Sequence, residues 1–151
     1  MSDVIVRNTG YKDPALRSIL FEMIDSLIAG CIQKHNRVLI KPNLLIPAKP
    51  EKAIVTHPLI VRIVTEYVLE CGAEVRIQDS PAMGTFDRVL KESAYRDAFE
   101  DLDVEIAPFK ASVKKDIGSP FGAIDMAQEA IEADLVINIA NSGSHCHAAA
   151  D

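Results

Sequence analysis

Apolar residues recur along this chain in two alternating periods. Val4 to Arg7 is a short run rich in β-branched residues and reads as a first strand. Asp13-Pro14 then opens a helix, with Asp13 as N-cap and Pro14 at the first helical position. Leu16, Ile19, Leu20, Met23, Ile24, Leu27 and Ile28 follow as one helical stripe, and Gly30 marks its stop. Arg37 to Lys41 reads as a buried strand ended by Pro42. A loop with three prolines runs on to Thr56; at about 14 residues it suggests a functional loop or a flap.

The alternation continues. Thr56-His57-Pro58 begins a second helix whose apolar face carries Leu59, Ile60, Ile63, Val64, Tyr67 and Val68, closed by Cys71-Gly72. Glu74 to Asp79 reads as a strand, and Ser80 to Gly84 turns into a helical region capped by Thr85, broken near Ser93 and running to about Leu102. Val104 to Phe109 is a further strand, and Val113 to Ile117 an edge strand or hairpin arm, with turns at Gly118, Pro120 and Gly122. A short helix from Ala127 to Ala133 precedes Asp134 to Ala140, whose apolar character predicts a buried parallel strand. Strands alternating with helices predict one α/β domain over residues 1–151, with a largely parallel sheet flanked by helices in a doubly wound, three-layer arrangement.

Composition narrows the classes. The chain has 151 residues, 48% hydrophobic and 25% charged, the proportions of an ordinary globular domain. A net charge of −6 argues against a general nucleic-acid surface. The longest apolar helical stretch is interrupted by Arg17, Glu22 and Asp25, which argues against a membrane span. Cys31, Cys71 and Cys146 form neither a CxxC pair nor a disulfide framework, so a reducing cytoplasm is the expected compartment. Clusters of iron and sulfur usually need four thiolates, so none is expected within this chain alone. No GxGxxG, GxxxxGK[ST] or GxSxG motif occurs.

In open parallel sheets, ligands bind beyond the carboxyl ends of the strands. Polar residues gather at those ends: Lys41 with Asn43, Asp79 with Ser80, and Asn138 before the segment from Ser142 to His147. Thr56 and His57 stand at a helix start expected to open on the same rim, where free N–H groups favour anions. Lys41 supplies a point charge suited to phosphate or carboxylate, or else a structural ion pair. Asp79 is able to bind a ribose hydroxyl, accept a proton or ligate a metal, or simply to cap a turn; Thr56 has the plainer alternative of an N-cap. His57 and Asp79 are the acid–base candidates, and Lys41, Asn43, Thr56, Ser80 and Asn138 the ligand-binding ones. His145, Cys146 and His147 place two imidazoles and a thiol within three residues, a candidate metal set against the plain reading of a near-terminal tail.

The stretches VLIKPNLL (Val38 to Leu45), THPLIVRIVTEYVLECGAEVRIQDSP (Thr56 to Pro81) and EADLVINIA (Glu132 to Ala140) together resemble the family called domain of unknown function 362. The resemblance carries over Lys41, Asn43, Thr56, His57, Asp79, Ser80, Asn138 and His145. It implies a bacterial or archaeal cytoplasmic protein of unsettled biochemistry, often fused to or encoded with 4Fe–4S ferredoxin-type modules. The chain departs from the pattern after Ala140, where Asn141 and Gly143 stand in place of two lysines and Ser144-His145 in place of Thr-His. It also ends at about half the length associated with the family, which suggests a truncated part of a longer architecture.

Three functions follow as expectations. The first is a domain binding a small anionic molecule at the strand ends. The second is a non-catalytic domain that docks a ferredoxin-type partner or forms a homodimer, and the third is a metal-binding domain.

Overall fold

The structure is a computed structural model that describes residues 4–28 and 30–141. Its centre is a parallel sheet of four strands: β1 (Arg37–Pro42), β2 (Glu74–Asp79), β3 (Glu105–Pro108) and β6 (Leu135–Ile139), in the spatial order β3-β2-β1-β6. Val38 to Ile40 pair in register with Val75 to Ile77 on one side and with Leu135 to Ile137 on the other. The α/β fold read from the alternating periods is therefore present.

One face of the sheet holds the core. Val38 and Ile40 of β1 and Val75 and Ile77 of β2 pack with Val61, Val64 and Val68 of α2 (Pro58–Glu70), Val89 and Leu90 of α3 (Phe86–Glu92) and Tyr95 of α4 (Tyr95–Ala98). Helix α1 (Leu16–Ile28) lies against α2 rather than on the opposite face: Arg17 pairs with Glu66 and Glu70, and Phe21 meets Tyr67 edge-on. Among the described residues the opposite face is covered by α5 (Gln128–Glu132), whose Glu129 and Glu132 share a small pocket with Leu39 and Gln78. An antiparallel hairpin of β4 (Ser112–Asp116) and β5 (Ala123–Ala127) precedes α5, turning at Gly118 to Gly122.

Several expectations are corrected. Val4 to Arg7 forms no strand; Val4 is 84% exposed, because β-branched side chains alone supply no neighbouring strand to pair with. The third helical region ends at Ala98 instead of Leu102. Only Leu16 of the first helix's apolar stripe is fully buried, since that helix touches the body along a narrow seam. Strand β6 is not buried on both sides: among the described residues it is an edge strand, with Val136 42% exposed. The first helix begins at Leu16, two residues later than expected, and Asp13 holds the turn before it, its Oδ1 accepting from the Ala15 N–H at 2.8 Å.

The order of strands puts one reversal in the sheet. From β1 the chain moves outward through β2 to β3, then crosses to the other side of β1 to make β6. The change of direction falls between β1 and β6, where Lys41 stands opposite Asn138. Open sheets favour a crevice at such a switch point; here a cleft lies over the ends of β1, β2 and β3 and meets the switch point only at Lys41.

Candidate functional site

Lys41 is the last but one residue of β1, and its side chain reaches across the rim to β2. Its Nζ lies 2.9 Å from Asp79 Oδ1, with the lysine side chain 40% and the aspartate side chain 8% exposed. The other carboxylate oxygen of Asp79 accepts the Leu44 N–H at 2.7 Å. Each oxygen of this aspartate thus has a partner, one from the neighbouring strand's ammonium and one from the loop after that strand. The ammonium keeps an exposed side.

That side opens into a cleft of about 550 Å³. Lys41, Asp79 and Ser80 form its floor at the strand ends. Phe109, Lys110 and Ala111, just past β3, together with Met126, Ala127 and Ala130 from β5 and α5, form its wall, the two segments being joined by the Gln128 N–H on the Ala111 carbonyl. The Lys110 N–H is held at 2.8 Å by Oε1 of Glu129, and this contact fixes the wall to α5. The same bond, with other backbone donors, holds the Glu129 carboxyl below the usual range. Volumes of this size are typical of small-molecule sites.

Thr56 has a different place from the one expected. It is 3% exposed, and its hydroxyl donates to the Ile139 carbonyl at 2.7 Å while accepting the Asn43 N–H at 2.8 Å. Its own N–H donates to the Asn43 carbonyl and its carbonyl accepts the Tyr95 hydroxyl, both at 2.9 Å. Its hydroxyl and N–H join the ends of β1 and β6 to the start of α2, and its carbonyl ties α4 to the same point. Thr56 is a clip, with no exposed group to offer a ligand, and it is not the helix cap either.

The cap is His57. Its Nδ1 accepts the Leu59 N–H at 3.2 Å, and Tyr11 stacks on its ring with centroids 4.0 Å apart. Partial burial lowers its pKa, opposed by the nearby Glu51 carboxylate, so the neutral ring that can cap is favoured. His57 does not line the cleft. Asn43 is likewise a loop anchor, donating from Nδ2 to the Ile54 carbonyl.

Of the expected site residues the structure therefore brings Lys41, Asp79 and Ser80 together. Asn138 sits beside Lys41 in the sheet, exposed on the edge strand. His145, Cys146 and His147 lie outside the described residues, and among the described residues no group of three His, Cys, Asp or Glu side chains is placed to hold a metal. Among those residues, too, no helix is long and apolar enough to cross a membrane.

Two kinds of site residue escaped the sequence. Tyr95 is buried and bonds to the Thr56 carbonyl from α4, and burial foremost, with the Asp79 charge second, raises its pKa far above the ordinary phenol value. Phe109, Lys110, Met126 and Ala130 come from a stretch without any chemical motif; their only signal was that the chain must return across β1 after β3. The long proline-rich loop also proves anchored instead of free: Leu44, Ala48 and Val55 are buried, and the Leu45 carbonyl accepts the Ala82 N–H at 2.9 Å.

Comparison with known proteins places this geometry in a family. The model described as a domain of unknown function matches residues 38–150, a range that includes all of the parallel sheet but Arg37 and every residue lining the cleft. The chain is 29% identical over 143 residues to the thylakoid-associated protein sll1697 of Synechocystis sp., an alignment covering 93% of this chain and 44% of that protein. It thus spans less than half the length of this curated relative. No solved structure matches.

Proposed function

The chain belongs to the family called domain of unknown function 362, a membership that names no reaction, and we propose that it binds a small anionic ligand in the cleft at the strand carboxyl ends. The observation that carries this reading is the Lys41 ammonium, held from behind by Asp79 and open in front to the cleft. A lysine fixed by a buried carboxylate loses less conformational freedom on binding than a free one. Lys110 adds a second positive group and Ser80 a hydroxyl on the same lining. Asp79 acts as the positioning residue for Lys41. Acid–base roles for His57 and Asp79 are not part of the proposal, because one ring nitrogen of His57 and both oxygens of Asp79 are committed to structural contacts.

The test is a titration of the isotopically labelled chain with acetate and with inorganic phosphate, followed by the backbone amide shifts. Shifts centred on Lys41, Ser80 and Lys110, weakened roughly tenfold or more in Lys41→Ala, are expected from the loss of a charged hydrogen bond. Anions that leave those amides unmoved would refute the site.

Among the described residues β6 is an edge strand with Val136 exposed, which favours a second reading in which a partner adds a strand there. A second copy of the chain or a ferredoxin-type protein in the cytoplasm would fill that role, and a strict monomer in light scattering would remove the homodimer. Metal binding by His145, Cys146 and His147 is tested by elemental analysis of untagged protein.

A further inference from the structure

The cleft's walls differ in character from its floor, and the difference bears on what kind of anion fits. Resting on the anion-site reading, we infer that the ligand is an amphiphilic monocarboxylate: a single carboxylate facing Lys41 and Ser80, carrying an apolar body that lies along Phe109, Met126 and Ala130. Charge sets the head group. Lys41 and Lys110 line the cleft, each beside one carboxylate, Asp79 at 2.9 Å and Glu105 at 3.6 Å, so the lining carries little net positive charge. A phosphate monoester carries about −1.5 to −2 at neutral pH and calls for several donors around three oxygens. A single-charged, two-oxygen head matches this arrangement; a dianion leaves charge uncompensated.

The walls set the body. Phe109, Ala111, Met126, Ala127 and Ala130 present hydrocarbon and one thioether to the cleft, and an inorganic anion gains nothing from them. An apolar group removed from water gains in proportion to its area. Met126 is unbranched and polarisable, suited to planar or flexible bodies alike. Ala130, on α5, is the smallest kind of side chain that still adds hydrocarbon to this lining.

The experiment titrates the full chain with four probes: phenylacetate, its neutral counterpart phenylacetamide, acetate and inorganic phosphate, each read from the amide shifts of Ser80, Lys110 and Met126. Phenylacetate is expected to bind at least about tenfold tighter than each of the other three. Ala130→Leu, which alters the apolar wall without changing charge, should weaken phenylacetate several-fold more than it weakens acetate. Phosphate binding as tightly as phenylacetate at the same amides would overturn the monocarboxylate while leaving the anion site standing. Phenylacetamide matching phenylacetate, or no anion moving these amides, would overturn the anion site together with the ligand class. The comparison of probes on the unaltered protein decides the matter even if the Ala130 variant folds poorly.

Discussion

Lys41 and Asp79, at the ends of adjacent parallel strands, meet at 2.9 Å with the carboxylate buried and the ammonium half-open to a cleft. The pair is both an element of stability and the floor of the proposed site, so its two halves respond differently to substitution. Asp79→Asn keeps an acceptor for the Leu44 N–H but removes the charge behind Lys41. Stability should fall by about 1–2 kcal/mol, between the values for exposed and for fully buried pairs. Urea unfolding measures this; an unchanged midpoint would mean the ion pair contributes nothing.

Thr56 joins three elements through one hydroxyl. Thr56→Val preserves shape but removes the partner of the part-buried Asn43 N–H and Ile139 carbonyl. The expected loss is about 1–3 kcal/mol, from two part-buried groups left without that bond. Thr56→Ser, which keeps the hydroxyl, should lose much less, and thermal unfolding of the two variants side by side distinguishes the hydroxyl's bonds from the methyl's packing.

His57 gives the fold a dependence on pH. Its folded pKa is lowered from 6.5 by burial, so near that pH the unfolded chain binds more protons at this site than the native chain does. Stability should therefore decline as pH falls through about 6.5 and be fully present above it. Protonation also removes the lone pair with which Nδ1 caps α2. His57→Asn keeps a capping acceptor and does not titrate. Its unfolding midpoint should lose this part of the wild-type difference between pH 7.5 and 5.5; an identical difference in both proteins would assign the effect elsewhere.

Gly84 closes the turn after β2 with φ +82°, and a Cβ built there would lie 2.9 Å from Pro47 Cγ. Backbone conformation and contact both oppose a side chain. Gly84→Ala should cost about 1–3 kcal/mol, and the damage should spread to the Leu45–Ala82 hydrogen bond that ties the two loops together. Faster hydrogen exchange at the Ala82 amide is the local readout, and protection equal to the wild type would argue that the turn can relax.

The sequence showed its elements better than their surroundings. Arg37 to Lys41 and Glu74 to Asp79 are strands as expected, and Thr85 caps α3 by accepting the Arg88 N–H. The apolar run in β6 also marks a strand, but the edge position of Val136 lay beyond any pattern within that run. Val4 to Arg7 shows the converse: a segment with strand composition and no strand beside it.

By itself, the order of apolar periods determined that strands and helices alternate, that the sheet is parallel, and that Lys41, Asp79 and Ser80 share its rim. Only the tertiary structure decided that Asp79 holds Lys41, that Thr56 is a buried clip, that His57 is a cap outside the cleft, and that Phe109, Met126 and Ala130 wall it. The physical reason is that periodicity reports whether a side chain faces solvent or interior. What a polar group does depends on which partner stands within about 3 Å of it, and those partners come from distant parts of the chain.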